Sequence, residues 1–230
     1  MKKIIPKIFS FLGILMIFTL ITACNSNTAH QTSKVTTKSS SKQVEKQVTK
    51  ILTKKNFSNL KIISQNADIV VEVGKSYKVT YQGKNTTIPV IKTDKDKLTI
   101  KQVNAQHTLG LMRLPQIIVT LPKKAKLSKM LITTASADVH VNSLRLKRGI
   151  IASDSGDITI SDSKSISGMN LKSTTGNIKI RNTKFTGYRL STVDGQIQVN
   201  NHGTSSSYVK NSKSKNVLVA KSGSREIWVN

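Results

Sequence analysis

Carboxylates are scarce: the 230 residues hold 11 Asp and Glu against 37 Lys and Arg, a formal net charge of +26. So few acids leave little for the paired-carboxylate chemistry of hydrolytic β-proteins. Asp138 and Asp157 hold matching places in a repeat, but Asn177 and Gln196 follow there, which reads as a polar residue beside a bend. The glycine-rich nonapeptide calcium repeat is missing, so Asp157 and Asp162 make poor calcium ligands. His30, His107, His140 and His202 are scattered, and no H-E-x-x-H occurs. Ser58-x-x-Lys61, Ser161-x-x-Lys164 and Ser212-x-x-Lys215 stand without S-D-N or K-T-G partners. The expectation is a protein that is not an enzyme, with no catalytic residue, metal site or cofactor. One cysteine, Cys24, excludes a disulfide within the chain. Aromatics make up 4%, and none interleaves with Arg as a base-stacking platform, which argues against sequence-specific nucleic-acid reading.

No apolar run reaches the roughly 20 residues that span a bilayer as a helix. The run from Ile8 to Ile21 has 14 residues, follows Lys2, Lys3 and Lys7, and ends in Ile21-Thr22-Ala23-Cys24. A basic start, a short apolar stretch and small residues before a cut site read as a secretory signal. The four residues ending at Cys24 resemble the bacterial lipobox. That resemblance implies cleavage before Cys24, a diacylglyceryl group on its thiol and an acylated N-terminus, palmitate being the expected kind of chain. Two acyl chains anchor stably where one is marginal. The implied address is the outer face of the cytoplasmic membrane, at the cell surface of a Gram-positive bacterium. Residues 1–23 are then a lipoprotein signal peptide. Residues 24–56, rich in Ser, Thr, Lys, Gln and Asn, read as a disordered linker. Its end, with Val44, Val48, Ile51 and Leu52, suits either a short helix or a first strand. Residues 57–230 read as a single domain.

That domain carries a repeat. Ala137-Asp138-Val139-His140-Val141 returns as Gly156-Asp157-Ile158-Thr159-Ile160, Gly176-Asn177-Ile178-Lys179-Ile180 and Gly195-Gln196-Ile197-Gln198-Val199, in steps of 19, 20 and 19 residues. Five residues before each motif stand Ile132, Ile151, Leu171 and Leu190; three before it stand Thr134, Ser153, Ser173 and Thr192. Apolar residues at every second position mark strands with one buried face. Ala137, Gly156, Gly176 and Gly195 sit between two such arms, where a bend is needed and a positive φ would suit glycine. A period near 20 means stacked units, each too small to bury its own apolar face. The expected fold is all-β, a short β-solenoid of stacked coils. Parallel stacking explains the register simply. Antiparallel hairpins remain an alternative, with Asp194-Gly195 as a suitable turn. In the return loops, Leu144, Leu146, Ile166 and Phe185 are candidates to plug the open side of each coil. Val217/Val219 and Ile227/Val229 read as last strands or a cap, with the lone Trp228 covering the final rung.

Ahead of the repeat, an irregular β section offers strands at Leu60–Ile63, Ala67–Val73, Tyr77–Tyr81, Ile88–Ile91, Leu98–Val103 and Gln116–Leu121. Ala67-Asp68-Ile69-Val70-Val71 echoes the repeat motif. The stretch Leu109-Gly110-Leu111-Met112-Arg113-Leu114 is an apolar loop. It either caps one end of the core or exposes Leu109, Leu111, Met112 and Leu114 as a contact patch.

Ile117-Ile118-Val119-Thr120-Leu121-Pro122, then Leu127–Thr134, then the G-[DNQ]-I-x-[IV] coils resemble the bacterial putative-adhesin family, the domain of unknown function 4097. The likeness runs from about Phe57 to Val199. It implies a β-solenoid on a bacterial envelope protein and no established reaction. Ala137, where glycine is usual, and the strong positive charge depart from the family pattern. Outside a cell, a surface this basic attracts polyanions such as teichoic acids, anionic lipid heads and DNA over about 8 Å at physiological salt. Lysine-rich surfaces also serve solubility and guard sheet edges. The expected function is adhesin-like binding of envelope or extracellular polyanions; the alternative is an envelope-stress or signalling accessory that docks on a membrane partner.

Overall fold

Alternation of aliphatic and polar residues builds nearly the whole fold, and the computed structural model describes residues 46–103 and 114–230. They belong to one compact unit, Lys42–Asn230. The strands are β1 (Gln47–Thr53), β2 (Asn59–Ser64), β3 (Asp68–Gly74), β4 (Lys78–Lys84), β5 (Val90–Asp94), β6 (Lys97–Lys101) and β7 (Gln116–Pro122). The repeat supplies β8 (Leu127–Thr134), β9 (Val139–Asn142), β10 (Arg145–Ser153), β11 (Ile158–Ser161), β12 (Lys164–Ser165), β13 (Met169–Ser173), β14 (Ile178–Arg181), β15 (Gly187–Thr192) and β16 (Ile197–Val199). The chain closes with β17 (His202–Thr204), β18 (Ser207–Lys210), β19 (Val217–Ser222) and β20 (Ile227–Val229). One short 3-10 turn, Asn85–Thr87, interrupts them, and no α-helix occurs among the described residues.

Two sheets share these strands. Sheet 1 runs β1-β4-β7-β3-β9-β11-β14-β20-β16-β17; sheet 2 runs β18-β15-β19-β13-β10-β8-β2-β6-β5, with β12 on β10. A coil is one sheet 2 strand, a bend and one sheet 1 strand. Six coils arise this way, β2–β3, β8–β9, β10–β11, β13–β14, β15–β16 and β19–β20, and β6 with β7 stacks on β2–β3 as a seventh, most of the chain between these two strands falling outside the described residues. Every coil-to-coil pairing is parallel, as in Ile158 beside Val139 and Ile178. Antiparallel strands stand outside the coils, with β1 and β4 at one end of sheet 1, β17 at its other, and β5 and β18 ending sheet 2. The stack is therefore a solenoid, and hairpin stacking is confined to its caps.

Spatial order departs from chain order at both ends. From the β6–β7 end the coils follow as β6–β7, β2–β3, β8–β9, β10–β11, β13–β14, β19–β20, β15–β16. The C-terminal strands are not a terminal cap. β20 lies between β14 and β16, and β19 between β13 and β15. Trp228 accordingly does not cover the final rung: it stands on the outer face of sheet 1, beside Lys179 on one strand and Gln198 on the other.

The core lies between the sheets. Ile69, Val139, Ile158, Ile178, Ile227 and Ile197 form one continuous inward row, matched by Ile62, Ile132, Ile151, Leu171, Ala220 and Leu190 from sheet 2; all are buried. Each fully buried aliphatic side chain is worth about 1.5–3 kcal/mol relative to exposure, so coils that are unstable singly are stable stacked. Leu144 and Phe185 are buried in the return loops, Leu146 is buried within strand β10, and Ile166 is 62% exposed and plugs nothing. β1 pairs with β4 from Gln47 opposite Lys84 onward, so the end of the 24–56 stretch is a strand and ordered structure begins before Phe57.

Candidate functional site

The bend between the two strands of a coil places Ala137, Gly156, Gly176 and Gly195 along one line, coil over coil. None of these glycines has a positive φ. What excludes a side chain is proximity. A Cβ on Gly156 would come within 1.9 Å of the Ala137 carbonyl oxygen, one on Gly176 within 2.1 Å of Gly156 O, and one on Gly195 within 2.1 Å of Arg225 O. The left-handed residues lie instead where the chain leaves sheet 1, at Ser143, Asp162, Asn182 and Asn200, with φ of 60°, 50°, 45° and 50°. Short polar side chains tolerate that region best.

Two side-chain ladders run along the bends. The first is built of buried hydroxyls. The backbone N–H three residues on donates to Ser64, Thr134, Ser153, Ser173, Thr192 and Ser222, at 2.8–3.2 Å. The hydroxyls also reach the neighbouring coil: Ser173 donates to Gly156 O (3.0 Å), Ser222 to Gly176 O (3.1 Å) and Thr192 to Arg225 O (2.9 Å). Each thus satisfies a backbone donor and acceptor that water cannot reach. In the second ladder, side-chain oxygens of Asp68, Asp138, Asp157 and Asn177 accept from the backbone N–H of Asp138, Asp157, Asn177 and Glu226, respectively. Burial raises the Asp68 carboxyl above the usual carboxylate range, and the neighbouring Asp138 charge adds to this. Burial also pushes Asp157 up, but bonds from Asn177 and the Lys179 ammonium (3.3 Å) outweigh it and hold it below that range. These acids carry structure, in keeping with the reading of Asp138 and Asp157 as residues beside a bend.

The two outer faces differ in charge. Asp68, Glu72, Asp138, Asp157 and Glu226 cluster on the sheet 1 side. In sheet 2 every described strand carries at least one Lys or Arg, and only β5 carries an acid, Asp94 at its end. Register sets the cations in rows: Lys97, Asn59, Lys129 and Arg148 lie across four adjacent strands, and Ala152, Lys172 and Lys221 across three. Parallel strands about 4.8 Å apart thus present closely spaced positive groups. Half-buried Ile63, Leu131, Ile150 and Val219 lie among them. A shallow groove near the β5 end is lined by Lys61, Lys95, Lys97, Lys129, Asp94 and Asp96.

Of the contact-patch residues, Leu114 is 66% exposed and flanks a groove with Val48, Gln82 and Gln116. Leu109, Leu111 and Met112 fall outside the described residues, as does Cys24. No cluster of His, Cys, Asp and Glu able to hold a metal ion occurs among the described residues. No helix among them is long and apolar enough to cross a membrane. Two features escaped the sequence reading. One is the coil β19–β20, Val217 to Val229, whose bend carries Arg225 in place of glycine; the Ser-x-x spacing and Ile-x-Val pair are its signals in the sequence. The other is the outward placement of Trp228.

The model of the Toastrack DUF4097 family matches residues 57–227. Among solved structures, a putative cell adhesion protein from Clostridium sporogenes is similar at a TM-score of 0.52 and 16% identity, over 81% of this chain and 100% of its own. A putative adhesin from Bacteroides fragilis aligns at a TM-score of 0.40 and 14% identity, over 80% of this chain and 97% of its own. At such identity the first of these likenesses speaks to the fold alone. No curated protein matches this chain.

Proposed function

This chain belongs to the Toastrack DUF4097 family, and on that premise we propose that it is an adhesin-like, non-enzymatic surface protein that binds envelope or extracellular polyanions through the outer face of sheet 2. The observation that carries the reading is the segregation of charge, with cations in every described strand of that face and acids drawn to the opposite one. A flat array of Lys and Arg raises the local concentration of polymeric anions and gives a strongly salt-dependent attraction. The lipobox-like sequence ending at Cys24 supports a lipid anchor on the outer membrane face, with the chain ahead of β1 as a tether. The relative from Clostridium sporogenes, described as a putative cell adhesion protein, is compatible with the same role.

Co-sedimentation of Lys42–Asn230 with purified Gram-positive walls, with and without teichoic acid, tests the proposal across a salt series. Retention that falls with rising salt and with teichoic acid removal is expected. Retention indifferent to both, or none at all, overturns it. Metabolic labelling with a palmitate analogue, blocked by Cys24→Ala, tests the anchor separately.

A further inference from the structure

We infer that the outer face of sheet 1 around Trp228 is a binding site for a hexopyranose ring of an uncharged polysaccharide. Trp228 is the one tryptophan of the chain. Its strand neighbours Ile227 and Val229 are buried in the core, whereas the indole stands outward and is partly exposed. On one side, Lys179 places its Nζ 5.1 Å from the ring centroid. On the other side come Gln198 and then, directly opposite Gln198 in the antiparallel ladder, Gly203. A Cβ on Gly203 would meet nothing within 4 Å. The row Lys179–Trp228–Gln198–Gly203 therefore runs from an aromatic wall to an open shelf.

The chemistry of that shelf suits a sugar better than an anion. The axial C–H groups of a pyranose carry partial positive charge and pack on the electron-rich face of an indole. The planar amide of Gln198 beside the ring offers both a donor and acceptors to vicinal hydroxyls. Charge is partly balanced there: Lys179 is paired with Asp157 at 3.3 Å and Glu226 stands two residues before Trp228, just ahead of β20, while Arg181 lies at the end of β14. A polyanion gains little there, in contrast to sheet 2. The site is thus distinct in place and in ligand class from the cationic face, and the two bind independently.

A single tryptophan makes the test direct. The full chain in mild detergent is titrated with cellotetraose and with tetrameric N-acetylglucosamine, following indole emission and, in parallel, calorimetric heat. A saturable spectral shift below about 10 mM ligand, unchanged by 1 M salt, is expected. Gly203→Phe fills the open shelf without touching the core, and is expected to weaken binding at least tenfold at unchanged melting temperature. Trp228→Ala is expected to abolish the calorimetric signal while wall retention through sheet 2 persists. Absence of any shift with both oligosaccharides overturns the inference, as does full binding by folded Gly203→Phe and Trp228→Ala chains. A shift produced only by a glycerol-phosphate polymer would assign the face to anions instead, and also overturns it.

Discussion

The Ser173 hydroxyl donates to the Gly156 carbonyl of the adjacent coil at 3.0 Å while accepting the Gly176 N–H of its own coil at 2.9 Å. One atom thereby closes a bend and ties two coils together. Ser173→Ala leaves a buried donor and a buried acceptor unpaired, and a loss of about 1–3 kcal/mol is expected in urea unfolding. Ser173→Thr keeps the hydroxyl, as Thr134 and Thr192 do at the equivalent place, and should cost well under half as much. Equal losses for the two variants would show that packing, and not the hydroxyl, matters at this position.

Gly176→Ala is the harsher change. Its Cβ would sit 2.1 Å from Gly156 O and 2.7 Å from the Ser173 hydroxyl oxygen, so two coils must separate. A loss of more than about 2 kcal/mol is expected. Gly203→Ala, made in open space, should be near neutral. A Gly176→Ala protein with wild-type melting behaviour would contradict the coil spacing described above.

The acids along sheet 1 have opposite linkage to pH. Asp157, whose folded pKa is depressed, adds stability that is present above its unfolded value near 4 and is lost as pH falls through the folded value. Asp68, whose folded pKa is raised, costs stability at neutral pH and returns it as acid protonates the group. Asp68→Asn keeps the oxygen that accepts the Asp138 N–H and removes the charge. It should be the more stable chain at pH 7, with the gain vanishing below about pH 4. Asp157→Asn should lose stability at pH 7, since the Lys179 pair goes with it. Melting curves from pH 3 to 8 decide both signs.

Charge reversal separates the faces. The double change Lys61→Glu and Lys129→Glu, on neighbouring sheet 2 strands, is expected to lower wall retention several-fold at physiological salt, and less at high salt. Reversal of Lys78 and Lys50, on sheet 1 strands β4 and β1, alters net charge equally and should have a much smaller effect. Comparable losses from both pairs would mean that net charge alone, and not the sheet 2 face, governs retention.

Ile178→Asp places a carboxylate at a fully buried position between two identical isoleucine neighbours, Ile158 and Ile227. Unfolding of the whole domain is expected, because an unpaired buried charge costs more than a small domain's margin. A soluble chain with a cooperative melt would refute the register.

Much of this was legible beforehand because alternation is a local signal. Ile158-Thr159-Ile160 must face its aliphatic pair one way, whatever lies beside it, and five of the six strands read between Leu60 and Leu121 occur close to where expected, while the one expected at Ile88–Ile91 lies at Val90–Asp94 because the 3-10 turn Asn85–Thr87 is capped by Ile88. Neighbour order is not local. Any Ile-x-Ile strand stacks on any other with nearly the same contacts, so nothing in residues 217–230 announces that they pair with both β14 and β16. The glycine marker misled for a related reason. Glycine answers to how closely the next carbonyl approaches, a relation across coils, and not to φ at its own position. Arg225 therefore hid a coil that Ser222 and Ile227 otherwise spell out. Sequence position alone points Trp228 to a final rung, whereas its place in space follows from pairing with β14 and β16.

The interleaved C-terminus also bears on how the molecule is made. Residues 217–230, which follow β15–β16 in the chain, fill a slot inside the stack, with ladders on both sides. Until they arrive, β15–β16 cannot take its final place, and two sheet edges stand open. Closure of the stack thus waits on a segment later in the chain than both of the coils it separates. A chain clipped before Val217 carries a gap with an unpaired strand edge on each side of it in both sheets, whereas loss of an end coil would merely shorten the stack.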